Sequence, residues 1–195
     1  MVLDSPFGRY VMAVDRVERL LKEVSEALCA AGIDYAIIGG NAVAIWVATV
    51  DEGATRATKD VDVLIRRDDL PRVTAALRPL ELDPVEVLGV TMYVDRQNPN
   101  PRTGAHVVFA GERIRPEYAH PAPDPSESSE VMAGCRVIDL RRLVEMKLQA
   151  YRFIDRAHIQ DMLVLGLIDE QERNHLPDDL RQRLESIEAG HDEPV

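Results

Sequence analysis

The stretch Asp60-Val61-Asp62, followed by Val63-Leu64-Ile65, limits how this chain can fold more than any other. Its β-branched, alternating character predicts a strand over residues 60–65. Alternate strand residues face the same side, so Asp60 and Asp62 present two carboxylates together while Val61 and Val63 point into the core. Two carboxylates held side by side repel unless a cation sits between them. A hard divalent ion such as Mg2+ takes oxygen ligands and bridges carboxylates to substrate phosphates. Upstream, the apolar run Tyr35-Ala36-Ile37-Ile38 ends in Gly39-Gly40-Asn41-Ala42. Alone, Gly39-Gly40 is a tight turn that needs glycine's backbone freedom. Beside a paired-carboxylate strand, the same turn opens a helix whose backbone N–H groups can meet phosphate oxygens. The two patterns together predict metal-assisted handling of a nucleoside triphosphate, with Asp60 and Asp62 as ligands and Gly39, Gly40 and Asn41 at the phosphates.

The rest of the chain supplies a scaffold of mixed type. Val17, Leu20, Leu21, Val24 and Leu28 share one helical face, predicting a helix over 15–31 that Gly32 ends. Strands are expected at 33–38 and 60–65, with helices at 41–49 and 67–80. Residues 88–94 and 106–110 read as a strand pair, and 117–130, with Pro121, Pro123 and Pro125, as a loop or linker. A last strand is expected at 135–138, after which Asp139 caps a helix from 140 to about 153 that continues or restarts through 166. Pro177 is expected at the first position of a final helix. The implied class is α+β: a small mixed β-sheet flanked by helices, with a helical C-terminal portion. The expected division is a core over 1–138 and a helical part over 139–195 packed on it.

Composition narrows the function. The net charge is −11, and residues 169–195 hold nine acids against three bases. Non-specific grip on nucleic acid feeds on basic surface, so broad binding of that kind is not expected. A local basic face remains open, because arginines recur from Arg113 to Arg156. Only Cys29 and Cys135 occur, neither with a CxxC neighbour, which reads as reduced thiols in a cytoplasmic protein. The longest uncharged stretch, 35–50, is shorter than the about 20 apolar residues a membrane span needs, so no membrane partner is expected.

With those residues in view, the order helix, strand ending in Gly-Gly, helix, Asp-x-Asp strand resembles the nucleotidyltransferase superfamily with the DNA polymerase β type of fold. That superfamily's fingerprint is hG[GS] followed by Dh[DE]h. The resemblance runs through about residues 15–110, and Arg56 and Thr58 ahead of Asp60 match the Arg-x-Thr-x-Asp-x-Asp run of small bacterial members. Lys147-Leu148 followed by Arg152, Asp155 and Asp161 is similar to the late motifs of AbiEii-type nucleotidyltransferases, typically toxins of toxin–antitoxin or phage-defence pairs. The resemblance implies a role for Lys147 at the triphosphate and for Asp155 in positioning or activating an acceptor. It also implies Mg2+, or Mn2+, as cofactor and a cognate antitoxin as partner. Independently, Lys147 shares a helical stripe with Leu140, Leu143, Val144 and Tyr151. A lysine on that buried face must pair with carboxylates or reach an anionic ligand. Arg152, Asp155, His158 and Asp161 also suit a plain surface ion-pair ladder.

One position departs from the superfamily pattern. Active members carry a third carboxylate on a later strand, and here the corresponding run, Ala105-His106-Val107-Val108-Phe109-Ala110, places His106 there. Histidine is a poor ligand for Mg2+, whereas Mn2+ and Zn2+ accept it. Two readings follow. In the first, the chain is a metal-dependent nucleotidyltransferase moving NMP from an NTP to an RNA or protein hydroxyl, with Asp60, Asp62, His106 and Asp155 catalytic and Gly39, Gly40, Asn41, Arg56, Thr58 and Lys147 binding nucleotide. In the second, it is a catalytically degenerate relative that binds nucleotide or a protein partner without turnover.

Overall fold

The computed structural model describes residues 5–132 and 134–190 of the 195-residue chain. Helix α1 (Pro6–Ala30) starts earlier than its apolar periodicity predicts. Ser5 accepts a hydrogen bond from the Gly8 N–H at 3.0 Å and Pro6 takes the first turn. This Ser-Pro start carries the helix through a first part whose Tyr10, Val11 and Met12 stay exposed. Its buried face begins at Val17 and continues through Val24 and Leu28.

The buried strand β1 (Tyr35–Ile38) leads directly into α2 (Gly39–Ala48), so both glycines lie in the helix's first turn. Gly39 has φ +70°, and a Cβ at this position would lie 2.0 Å from the Asp62 Oδ2. Strand β2 (Val61–Ile65) runs antiparallel to β1, with Ile38 opposite Asp62. Helix α3 (Leu70–Leu77), with 3-10 turns before and after it, covers the expected 67–80 helix.

The sequence pattern misses strand β3 (Leu82–Val87), because Pro84 lies in its middle. Proline is tolerated there since β3 is an edge of the sheet, where a missing N–H breaks no ladder. It pairs with β4 (Val90–Asp95) through a tight turn at Leu88-Gly89, both with positive φ. Next comes β5 (Ala105–Phe109). The expected loop at 117–130 contributes a short helix, α4 (Pro125–Ser128), and the start of strand β6 (Ser129–Met132). Strand β7 (Cys135–Ile138) follows as predicted.

The seven strands form one sheet in the order β3-β4-β5-β2-β1-β7-β6. β2 is parallel to β5 and β1 is parallel to β7, while the other neighbours are antiparallel. The end of β1 and the beginnings of β2 and β5 therefore meet at one end of the sheet. At the other end, Asp34 accepts from Arg66 and Arg136, and Asp124 from Arg66.

Beyond β7, Asp139 accepts from the Arg142 N–H at 2.8 Å and caps α5 (Leu140–Ala150). Tyr151, with φ +51°, ends that helix, and the chain restarts as α6 (Phe153–Val164). A short α7 (Glu170–His175), not expected from the sequence, precedes α8 (Asp178–Glu188), whose N-cap is Pro177 rather than its first residue. Leu180 and Leu184 of α8 join the same buried apolar cluster as Val24, Ile37 and Leu64. The Trp46 indole N–H donates to the Ile138 carbonyl at 2.9 Å, tying α2 to the end of β7. No helix among the described residues is long and apolar enough to cross a membrane.

Of the glycines, Gly39 leaves the least room for a side chain. Gly39→Ala should lower stability to urea by at least about 2 kcal/mol, since it adds backbone strain at positive φ and a clash with Asp62. A Gly89→Ala control, where positive φ occurs with nothing within 4 Å, should lose less.

Candidate functional site

Asp60, just ahead of β2, and Asp62 within it project from one side of the strand, and the parallel register places His106 of β5 directly beside Asp62. The His106 Nδ1 is 3.4 Å from the Asp60 Oδ2 and 3.7 Å from the Asp62 Oδ1. One ligand atom from each of the three residues can be chosen so that all lie within 4.8 Å of one another. On its far side, the His106 Nε2 lies 2.7 Å from the Pro101 carbonyl. A carbonyl only accepts, so Nε2 carries hydrogen and Nδ1 faces the carboxylates.

The electrostatics match this geometry. Burial, followed by the neighbouring Asp62 charge, raises the Asp60 pKa above the usual carboxylate range, and His106 only partly offsets the effect. The His106 imidazole is pushed up to about 9, chiefly by the Asp62 carboxylate beside it, against the opposing effect of burial.

Several residues expected at the phosphates also build the strand start. The Asn41 amide donates to the Asp60 carbonyl at 2.8 Å, and the Thr58 hydroxyl donates to the same oxygen at 2.9 Å. Together they fix the backbone that carries Asp60. Gly40 is also a packing position: a Cβ there would lie 2.8 Å from the Thr58 methyl carbon. Arg56 forms a two-pronged ion pair with Asp161 of α6, at 2.5 and 2.9 Å, linking the loop before β2 to the C-terminal helices.

A second group of charges comes from α5 and α6. Lys147 is 6% exposed, and its Nζ donates to the Asp155 Oδ1 at 3.0 Å. Asp155 is fully buried and also accepts from the Arg152 side chain, at 2.6 and 3.2 Å, and from the Arg152 backbone N–H. Burial alone would raise the Asp155 pKa, but the Arg152 guanidinium and Lys147 outweigh it and hold the group below the ordinary value. Arg152 is more than half exposed, and its charge acts on both Asp60 and Asp62. In the sequence, Arg152 suits either the late-motif resemblance or an ion-pair ladder, and its i, i+3 spacing to Asp155 is the signal of the pairing seen here. A cavity of about 800 Å³ bordered by Trp46, Asp139, Arg142 and Met146 contains none of these groups.

Comparison with known proteins places this geometry in context. No protein family matches the sequence, and no curated protein matches it. Solved structures do match in shape. A solution structure of the antibiotic-resistance factor ANT(2'')-Ia superposes with a TM-score of 0.58 at 16% identity, covering 92% of this chain and 96% of that one. An antigenic nucleotidyltransferase-like protein from Paracoccidioides brasiliensis gives 0.59 at 17% identity, over 92% and 90% of the two chains. ANT(2'')-Ia in complex with adenylyl-2''-tobramycin gives 0.55 at 13%, over 91% and 99%. The chain adopts the nucleotidyltransferase fold.

His158, one turn beyond Asp155 on α6, is 6% exposed and its Nδ1 has no hydrogen-bond partner among the described residues. Burial, and then the Lys147 charge, lower its pKa from 6.5 to about 4. The unfolded imidazole therefore takes up a proton before the folded one. The stability contributed by keeping His158 neutral is full above about pH 6.5 and falls as pH drops toward 4. Between these limits a His158→Gln variant should lose on the order of 2–3 kcal/mol less than the parent, read from urea unfolding at a series of pH values. Parallel pH dependences for the two proteins would contradict the assignment.

Proposed function

We propose that this protein is a divalent-metal-dependent nucleotidyltransferase of the superfamily whose fold it shares, moving NMP from an NTP to an acceptor hydroxyl on RNA or protein. The observation that carries the proposal is the convergence of Asp60, Asp62 and His106 beside a helix that opens on Gly39-Gly40. The two carboxylates of Asp60 and Asp62 would hold a single divalent ion, Mg2+ or Mn2+, with the His106 imidazole beside it. When bound, such an ion supplies charge neutralisation for the triphosphate and Lewis acidity at the phosphoryl group being attacked.

The chain's own residues do the positioning. The first N–H groups of α2 bind phosphate oxygens, as the start of a helix does. Asn41 and Thr58 hold the Asp60 backbone rigid through its carbonyl. Arg152, aimed by Asp155, takes a share of the triphosphate charge, and Lys147 acts through Asp155 unless it exchanges that partner for phosphate. Arg56 reaches the nucleotide by leaving Asp161. The acceptor oxygen bonds to the α-phosphorus, the bond from that phosphorus to the bridging oxygen of the β-phosphate breaks, pyrophosphate departs, and the hydroxyl proton leaves to solvent.

The similarity of the run from Lys147 to Asp161 to AbiEii-type enzymes supports a cytoplasmic toxin role with a cognate antitoxin. ANT(2'')-Ia holds adenylyl-2''-tobramycin in the same fold, so tobramycin belongs beside RNA and protein in an acceptor panel. Labelled NTPs with Mg2+ or Mn2+ should give transfer by the parent protein. Asp60→Asn and Asp62→Asn should reduce it by at least about a hundredfold with unchanged circular dichroism. Equal transfer by the parent and both variants would remove the proposal. Arg152→Ala should raise the KM for NTP by roughly tenfold with a smaller change in kcat, as loss of a charge-assisted phosphate contact does.

A second reading rests on His106 itself. As an imidazolium between both carboxylates it occupies the place of a cation, which suits a degenerate relative that binds nucleotide without turnover. NTP binding without transfer on any acceptor, together with transfer restored by His106→Asp, would favour it.

A further inference from the structure

We propose that the site formed by Asp60, Asp62 and His106 selects a nitrogen-accepting transition ion, of the Mn2+, Co2+ or Zn2+ type, over Mg2+, with His106 Nδ1 as a direct ligand. This inference rests on the metal-assisted reading above and specifies the ion that reading leaves open.

Three observations carry it. First, the separations suit one ion: ligands about 2.1 Å from a common centre lie about 3.0 Å apart at right angles and about 3.4 Å apart in a tetrahedron. The Nδ1 of His106 is 3.4 Å from Asp60 and 3.7 Å from Asp62, and one ligand atom from each of the three lies within 4.8 Å of the others, so side-chain movements of about an ångström bring all three onto one ion. Second, the ring is already oriented. The Pro101 carbonyl, 2.7 Å away, takes the Nε2 hydrogen and leaves Nδ1 as the one ring atom able to ligate. Outer-shell hydrogen bonds of this kind fix the tautomer of metal-bound histidines. Third, His106 cannot drift from the pair, because its strand register holds it between Asp62 on β2 and Met92 on β4.

The donor set then decides the ion. Mg2+ demands oxygen ligands, whereas first-row transition ions accept imidazole as well as carboxylate. Replacing an oxygen donor by nitrogen weakens the site for Mg2+ and keeps or improves it for Mn2+, Co2+ and Zn2+. A histidine present only to fill space would need neither the Pro101 tether nor a ring nitrogen facing both carboxylates.

The test uses the full-length protein with Mn2+, Co2+ and Mg2+ as probes. One equivalent of Mn2+ should bind and show pulsed-EPR coupling to a single imidazole nitrogen, and Co2+ should give a visible absorption band on binding. Carboxylate sites in general hold Mn2+ better than Mg2+, so the informative quantity is the change in preference. In His106→Asp the nitrogen coupling should vanish, and the Mg2+ excess needed to displace Mn2+ should fall at least about tenfold. His106→Gln, closer in shape and lacking an imidazole, should also lose the coupling and guards against a folding defect in the first variant. Mn2+ bound without nitrogen coupling, or an unchanged Mg2+ requirement in His106→Asp, overturns the inference while leaving metal-assisted transfer standing. No saturable ion binding, or binding equal in a doubly substituted Asp60→Asn, Asp62→Asn protein, overturns the metal-assisted reading itself.

Discussion

The Asp62 carboxylate lies against the first turn of α2 because position 39 carries no side chain. The Asp62 carboxylate lies where a Cβ would be, and the backbone there has the positive φ that glycine tolerates best. This close approach lets a buried strand turn into α2 and leaves a carboxylate against the helix's first turn. The next strand then completes the group, because β5 runs parallel to β2 and brings His106 level with Asp62. The fold thus concentrates negative charge at one end of the sheet and answers it with an imidazole tethered to Pro101. Burial, and then the Asp62 charge, raises the proton affinity of Asp60, whereas Asp62 raises that of His106 against burial.

The C-terminal helices answer the same charge from the other side. A buried carboxylate is costly unless charges and hydrogen bonds compensate it, and Asp155 has both, from Lys147 and Arg152. The consequence for the site is directional: Asp155 holds one side of the Arg152 guanidinium, whose charge is felt by Asp60 and Asp62. The pair between Arg56 and Asp161 adds a second link from the strand loop to α6. Asp161 is partly exposed where Asp155 is fully buried, so this pair exchanges more readily with solvent or ligand.

Much of this was legible in the residues alone. The alternation through 60–65 gave β2 its side-chain facing, the apolar run at 35–38 marked β1, and Asp139 announced the start of α5. These elements declare themselves because their patterns are local. Strand β3 was hidden by Pro84, whose cost vanishes only at an edge, and being an edge is a property of the whole sheet. The early start of α1 was written in Ser5-Pro6 but fell outside the apolar periodicity. Asn41 and Thr58 had the chemistry of phosphate binders; that both bond the Asp60 carbonyl depends on how the loop before β2 folds over α2.

Residue order therefore settled the chemistry available: two acids on one strand face, a glycine turn ahead of them, and a histidine on a later strand. Those features follow from backbone periodicity and side-chain type, which act within a few residues. Folding in three dimensions settled which groups meet. The parallel pairing of β2 with β5 set the gap between His106 and the acids, and the packing of α6 beside the loop before β2 brought Asp161 to Arg56. Such distances depend on packing between segments far apart in the chain, and no local pattern encodes them.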